Sequence, residues 1–259
     1  MSLLKTIWLK SKFVILICSY NNQEWVTHNL NSVFNQTYNN YRVIYINDYS
    51  LDQTGQLVNE YIFNKQLTDR CTIIHNQKRR YKLYNMYHAI HELCDDDEIV
   101  VELDGDDWLL TPDVLEELAE IYSDGSVWLT YGGFVMWPKT FNYLAAQTIP
   151  EEIIKHNQFR SFFKHNFIYL ALRSFYAGLF KRIKKEDLQI DGIFFKQSSD
   201  IATMIPMFEM AGNRFYQITN LVYLYNTYTG NNDYQLYHQQ QRFIADIIEG
   251  KKKYEPLPQ

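Results

Sequence analysis

The chain has 259 residues, 46% of them hydrophobic and 21% charged, the balance of a soluble globular protein with ample material for a core. Its net charge of −5 gives no general reason to bind nucleic acid or an anionic membrane surface. Three cysteines, Cys18, Cys71 and Cys94, lie far apart in no metal-ligand spacing, which argues against a disulfide framework and favours a reducing, cytoplasmic setting.

The N-terminal apolar stretch is broken by Lys10 and Lys12 and offers no small-residue cleavage site, so it reads as a lead-in and not a signal peptide. FVILICSY (13–20) is then a continuous apolar run of strand length, the pattern of a strand covered on both faces. Trp25, Leu30, Val33 and Phe34 follow at helical spacing. YRVIYIND (41–48) predicts a second strand, with Leu57, Val58, Tyr61 and Ile62 marking the next helix. CTIIHN (71–76) predicts a third strand, followed by a helix with Leu83, Met86, Tyr87, Ile90 and Leu93 on one face. EIVVELD (98–104) is the fourth. A helix start is expected at Thr111 as N-cap and Pro112 as first helical residue, with Gly125 at its C-terminal end. Strand and helix alternating four times predict an α/β fold with a mainly parallel sheet flanked by helices.

Beyond this point the alternation stops. VWLTYGGFVMW (127–137) reads as one more strand, 150–183 as helical and aromatic, 200–212 as a short helix, 214–228 as strand, and 233–250 as a polar terminal helix. No linker, repeat or low-complexity segment divides the chain. One domain over 1–259 is expected, its second half elaborated with helices and strands. No run of about 18 apolar residues is present, so no segment is expected to span a bilayer. Peripheral membrane contact and the oligomeric state stay open.

In open α/β sheets ligands bind beyond the carboxyl ends of the strands. The polar residues gather there: Ser19-Tyr20-Asn21-Asn22, Asn47-Asp48, His75-Asn76 and Asp104-Gly105-Asp106-Asp107. The phosphate-binding patterns GxGxxG and GxxxxGK[ST] are absent, HAIHELCD lacks the second histidine of HExxH, and the acidic cluster does not fit a calcium loop. Packed aspartates repel unless a cation or a hydrogen-bond network holds them. Alternate residues just past a strand can present two carboxylates to one hard cation such as Mg²⁺ or Mn²⁺. The plainer reading is that Asp106 or Asp107 caps the next helix.

Four segments in order resemble the inverting glycosyltransferases of family 2, with the GT-A fold: ICSYNN, HNLNSVFNQTYNNYRVIYINDYSLDQT, LDGDDWL and FKQSSDIATMIPMFEMAG. The resemblance implies a nucleotide-binding half at about 11–110, an acceptor-binding half at about 111–259 and a UDP-sugar or similar nucleotide-sugar donor. It implies that Ser19 and Tyr20 line the nucleotide pocket, that Asp48 hydrogen-bonds the base, and that Asp104 contacts ribose or metal. It further implies that Asp106 is the principal Mn²⁺ or Mg²⁺ ligand, that Asp200 is the general base, and that the acceptor is a saccharide or glycoconjugate. In the basic loop QKRRYKLYN, Lys78, Arg79, Arg80 and Lys82 are candidates to meet diphosphate charge, although a basic run is more often a solvated face. In TYTGNND, Asp233 is a third candidate metal contact. The sequence departs from the family's D-D-G-S turn at Asn47, Tyr49 and Leu51. Trp108, Trp137 and Tyr143 are candidate sugar-stacking rings, with core packing the plainer alternative. Two rival functions share these features: a sugar-phosphate nucleotidyltransferase, which usually carries a glycine-rich basic loop that SYNNQEW is not, and a non-catalytic nucleotide- or glycan-binding module of the same fold.

Overall fold

A computed structural model describes residues 11–138, 143–166, 170–229 and 238–258. Its first half follows the predicted alternation: β1 (Phe13–Ser19), α1 (Val26–Phe34), β2 (Tyr41–Asn47), α2 (Thr54–Asn64), β3 (Cys71–His75), α3 (Lys82–Leu93) and β4 (Ile99–Asp104). β1 pairs in parallel with both β2 and β4, which makes it an interior strand and explains why it is apolar on both faces. Phe13, Ile15 and Ile17 pack on one side with Leu30, Val58 and Leu118, while Val14 and Leu16 face the other side with Met86, Met204 and Phe208. Two cores thus sandwich the sheet.

After β4 the chain makes β5 (Trp108–Leu109), α4 (Val114–Ile121), β6 (Leu129–Gly132), β7 (Phe134–Trp137), β8 (Tyr143–Leu144), α5 (Glu151–Lys155), α6 (Phe159–His165), β9 (Arg173–Tyr176) and α7 (Ala177–Phe180). A 3₁₀ turn (Lys185–Leu188) leads to β10 (Gln189–Ile190), β11 (Ile193–Phe194), α8 (Ser199–Ala211), β12 (Phe215–Ile218), β13 (Tyr223–Asn226) and α9 (His238–Gly250). The seven-stranded sheet runs β12-β6-β9-β4-β1-β2-β3, and a four-stranded sheet runs β5-β13-β7-β8. β1 has β2 and β3 to one side and β4 to the other, so the topological switch point lies between β1 and β4.

Several expectations are corrected here. The single strand expected over 127–137 is two strands in different sheets, because the backbone turns at Gly133, where a Cβ would stand 2.2 Å from the Leu144 carbonyl. The stretch 214–228 likewise divides between the two sheets as β12 and β13. Within the segment expected to be helical lies β9, which inserts antiparallel between β4 and β6. The fourth helix begins at Val114 with Asp113 as N-cap. The carbonyls of Thr111 and Pro112 instead accept from Gln36 Nε2 and the Thr37 amide, both at 2.8 Å, so these residues close a turn against α1. Gly125, at φ +74°, lies beyond the helix end, in the turn that follows it. The terminal helix is described from His238, and Asp233 lies outside the described residues.

The helical side of the second half is tied by one buried ion pair. Arg160 on α6 donates to both oxygens of Glu209 on α8, at 2.7 and 2.9 Å, and to the Ile248 carbonyl of α9 at 2.5 Å. Both side chains are almost wholly enclosed, so removal of either leaves an uncompensated charge in the core. Glu209→Gln should therefore cost about 3–5 kcal/mol in denaturant unfolding. An unchanged midpoint would mean that this pair does not hold the three helices together.

Candidate active site

The strand ends at the switch point are in direct contact. A Cβ on Gly105 would stand 2.5 Å from both Cβ and Oγ of Ser19, so only glycine lets the loop after β4 cross β1 this closely. The Gly105 amide donates to the Cys18 carbonyl at 3.1 Å, and the Asp48 amide donates to the Ser19 carbonyl at 2.8 Å. From α1, the buried Asn29 donates to the carbonyls of Asp104 at 2.9 Å and Asp107 at 2.7 Å. The acidic loop is thereby fixed from behind before any side chain is considered.

Its carboxylates have different fates. Asp107 is buried and accepts from the Tyr223 hydroxyl at 2.6 Å and the Asn226 amide at 2.7 Å, which makes it the anchor of β13 and not a helix cap. Burial and the neighbouring Asp106 and Asp104 raise its pKa well above the usual carboxylate range. Glu102, facing inward from β4, is held by Arg173 through two bonds of 2.9 Å and by Lys82 at 2.7 Å. Burial alone would raise its pKa, but Arg173 and Lys82 outweigh that and hold the carboxyl at about 2. Asp104 also accepts from Lys82, and Arg173 Nη2 stands 3.7 Å from its second oxygen. Asp106 is half-buried, and burial together with the charge of Asp104 pushes its pKa up to about 6, with the Thr229 hydroxyl as a counteracting partner. Thr229 also lines a cleft of about 250 Å³ whose walls include Trp25, Tyr228 and Asp52.

Asp48 is buried and already well engaged: it accepts from Asn76 Nδ2 at 2.7 Å and from the amides of Arg80 and Tyr81, both at 2.8 Å. Its carboxylate shapes the basic loop. The Arg79 guanidinium lies over the ring of the half-buried Tyr20 at 3.6 Å and over that of Tyr81 at 4.7 Å, so the loop forms a cation–π stack at the mouth of β1. Asn47 stands where the family has aspartate, and its amide bonds His75 and closes the turn onto Ser50. Tyr49 stands where the family has glycine and keeps a left-handed backbone at φ +62°. Asp200 lies in the first turn of α8, half-buried, and its charge helps keep Arg173 protonated. Trp108 and Trp137 pack with Trp25 into one cluster, with ring centroids 5.4–6.3 Å apart. Tyr143 is largely exposed. Cys71 and Cys94 are buried, which pushes their thiols up to about 12 and about 11.

Residues 14–189 match the sequence model of glycosyl transferase family 2. The chain belongs to that family. No curated protein matches it in sequence. Among solved structures it is similar to S. aureus TarS 1-349 in complex with UDP-GlcNAc, with a TM-score of 0.64 at 16% identity, covering 94% of this chain and 68% of that one. It is similar also to the mannosyltransferase PcManGT from Pyrobaculum calidifontis in complex with GDP-Man and Mn²⁺, with a TM-score of 0.59 at 17% identity, covering 96% and 71% of the two chains. GalNAc-T7 with UDP, GalNAc and Mn²⁺ gives a TM-score of 0.57 at 12% identity over 85% of this chain and 44% of that one. The architecture is the GT-A fold of these enzymes, and the family makes the protein a glycosyltransferase.

No trio of His, Cys, Asp or Glu among the described residues is arranged to hold an ion. Mg²⁺ and Mn²⁺ nonetheless bind through one or two carboxylates with the remaining positions left to water and substrate phosphates. Asp106 fits that pattern, since it is in no ion pair among the described residues and burial and the charge of Asp104 disfavour its bare carboxylate. Among the described residues no helix is long and apolar enough to cross a membrane. Glu102, Lys82 and Arg173 complete the site. The sequence points to Lys82 as one of four cations able to meet diphosphate charge and singles out neither Glu102 nor Arg173. The available signal was an acid and a base embedded in apolar strands, which are almost never buried unpaired.

The raised pKa of Asp106 has a definite sign. The folded chain keeps that proton up to about pH 6 while the unfolded chain releases it near its ordinary value of 3.8, so Asp106 subtracts stability as pH rises through this window. Without metal, Asp106→Asn should melt about 2–4 °C higher than the parent near pH 7.5, with the difference closing toward pH 4. A difference that does not change with pH would show that Asp106 ionises normally.

Proposed function

We propose that the protein is a metal-dependent inverting glycosyltransferase that moves a sugar from a nucleotide-sugar donor, a UDP-sugar in preference, to a hydroxyl of a saccharide or glycoconjugate. The observation that carries this reading is the division of labour in the acidic loop. Asp104 is held by Lys82, and Asp107 by Tyr223 and Asn226, while Asp106 keeps a destabilised carboxylate beside the Thr229 cleft. The neighbours' complexes with UDP-GlcNAc and with GDP-Man and Mn²⁺ support it through the shared fold.

In this reading Asp106 holds Mn²⁺ or Mg²⁺ together with water and donor oxygens. The bound cation would neutralise the leaving diphosphate as a Lewis acid. Ser19, Tyr20 and the Arg79 stack form the wall against which the base lies, and Asp48 serves the base through the loop it fixes. Arg79 and Lys82 bring positive charge to the diphosphate side. Asp200 takes the proton from the acceptor hydroxyl as its oxygen attacks the anomeric carbon opposite the leaving group, and a single displacement inverts that centre.

Asp200→Asn should lower transfer by about 10²–10⁴-fold and leave calorimetric UDP affinity intact; retained turnover would remove Asp200 as the base. Asp106→Ala should abolish UDP binding that depends on Mn²⁺. Unchanged affinity in that variant would return the loop to a structural role and bring the non-catalytic module forward.

A further inference from the structure

Lys82 is fixed with unusual care for a side chain in a basic run. It opens α3, and the two amides before it, those of Arg80 and Tyr81, are both bonded to the buried Asp48, which sets where the helix starts. Its ammonium donates to Glu102 Oε1 at 2.7 Å and to Asp104 Oδ1. Glu102 is itself pinned by Arg173, whose Nη2 faces the other oxygen of Asp104 at 3.7 Å. Both oxygens of Asp104 therefore face protein cations. Lys82 cannot leave without abandoning Glu102, a carboxylate 2% exposed that has no access to water to replace it.

We propose that Lys82 is a positioning residue that holds Asp104 out of the metal shell, so that the acidic loop offers a divalent cation one carboxylate, Asp106, instead of two. The inference rests on the metal-dependent reading above. A cation that approached Asp104 would meet an ammonium already bonded to the nearer oxygen, and the two charges repel. Asp106 is in no ion pair with Lys or Arg among the described residues, and the Lys82 charge reaches it only through space, with less influence than burial, the Asp104 charge or the Thr229 hydroxyl. The loop's affinity for free metal is thus kept low, and the cation is held firmly only when donor oxygens supply the remaining ligands.

The test is Mn²⁺ titration followed by electron paramagnetic resonance, without nucleotide, on the parent, Lys82→Met, Lys82→Arg, Asp104→Asn and the Lys82→Met/Asp104→Asn double variant. Lys82→Met frees Asp104 and should bind Mn²⁺ about tenfold more tightly, whereas Lys82→Arg should match the parent. The gain should vanish in the double variant and, in Lys82→Met itself, should persist at high salt, where a through-space charge effect is screened and ligation by Asp104 is not. Unchanged affinity in Lys82→Met, or a gain that survives in the double variant, would overturn the proposal. If Lys82→Met does not fold, Asp104→Asn alone decides: affinity within about twofold of the parent supports the proposal, and a tenfold loss overturns it. UDP titration of the parent with Mn²⁺ and with chelator tests the metal-dependent reading separately. Weak Mn²⁺ binding by the parent does not blunt the Lys82→Met comparison, because the change expected there is a gain.

Discussion

Between Glu102 and Asp107 the chain places four carboxyl groups at the end of an interior strand, two of them, Glu102 and Asp107, buried from water and the other two half-buried. Each must find a partner or give up its charge, and the solutions draw in distant parts of the molecule. Arg173 arrives because β9 inserts antiparallel beside β4. Lys82 comes from the first turn of α3, Tyr223 and Asn226 come from β13, and Asn29 of α1 supports the loop's carbonyls. The second sheet and the reversed strand are thus tied to the site by charge as much as by packing. Asp106 and Asp107 both keep a raised pKa from burial and crowding, Asp107 with Tyr223 and Asn226 as partners and Asp106 with the Thr229 hydroxyl.

The same arrangement ties down the loops at the strand ends. Gly105 brings the loop against Ser19 closely enough to exclude any side chain, and the Asp48 carboxylate locks the loop that carries Arg79. Tyr49, where the family has glycine, has a left-handed backbone at φ +62° and an exposed ring. Asn47 serves the turn with an amide in place of a carboxylate, which spares one more negative charge at a crowded crossing.

Much of the first half was legible in the residues themselves. Continuous apolar runs mark β1, β2 and β4, and helical stripes mark α1 to α3, because burial on one or both faces leaves a local period in the chain. The polar tips at Ser19, Asp48 and Asp104–Asp107 pointed to the switch point for the same reason. The second half was less legible. Gly133 and the Asn220 region break what reads as continuous strand, and nothing local says that the pieces belong to different sheets. The helix start at Thr111-Pro112 failed because those carbonyls are recruited by Gln36 and Thr37, some 75 residues away.

The sequence by itself determined the parallel α/β half, the location of the acidic loop and the family, since each depends on local pattern or on residue order. Only the tertiary structure decided which partner each carboxylate meets. Glu102 meets Arg173 across 71 residues and Asp107 meets Tyr223 across 116. Periodicity records that a side chain is buried, whereas the pKa and the role of a buried charge are set by the partner that the fold brings to it.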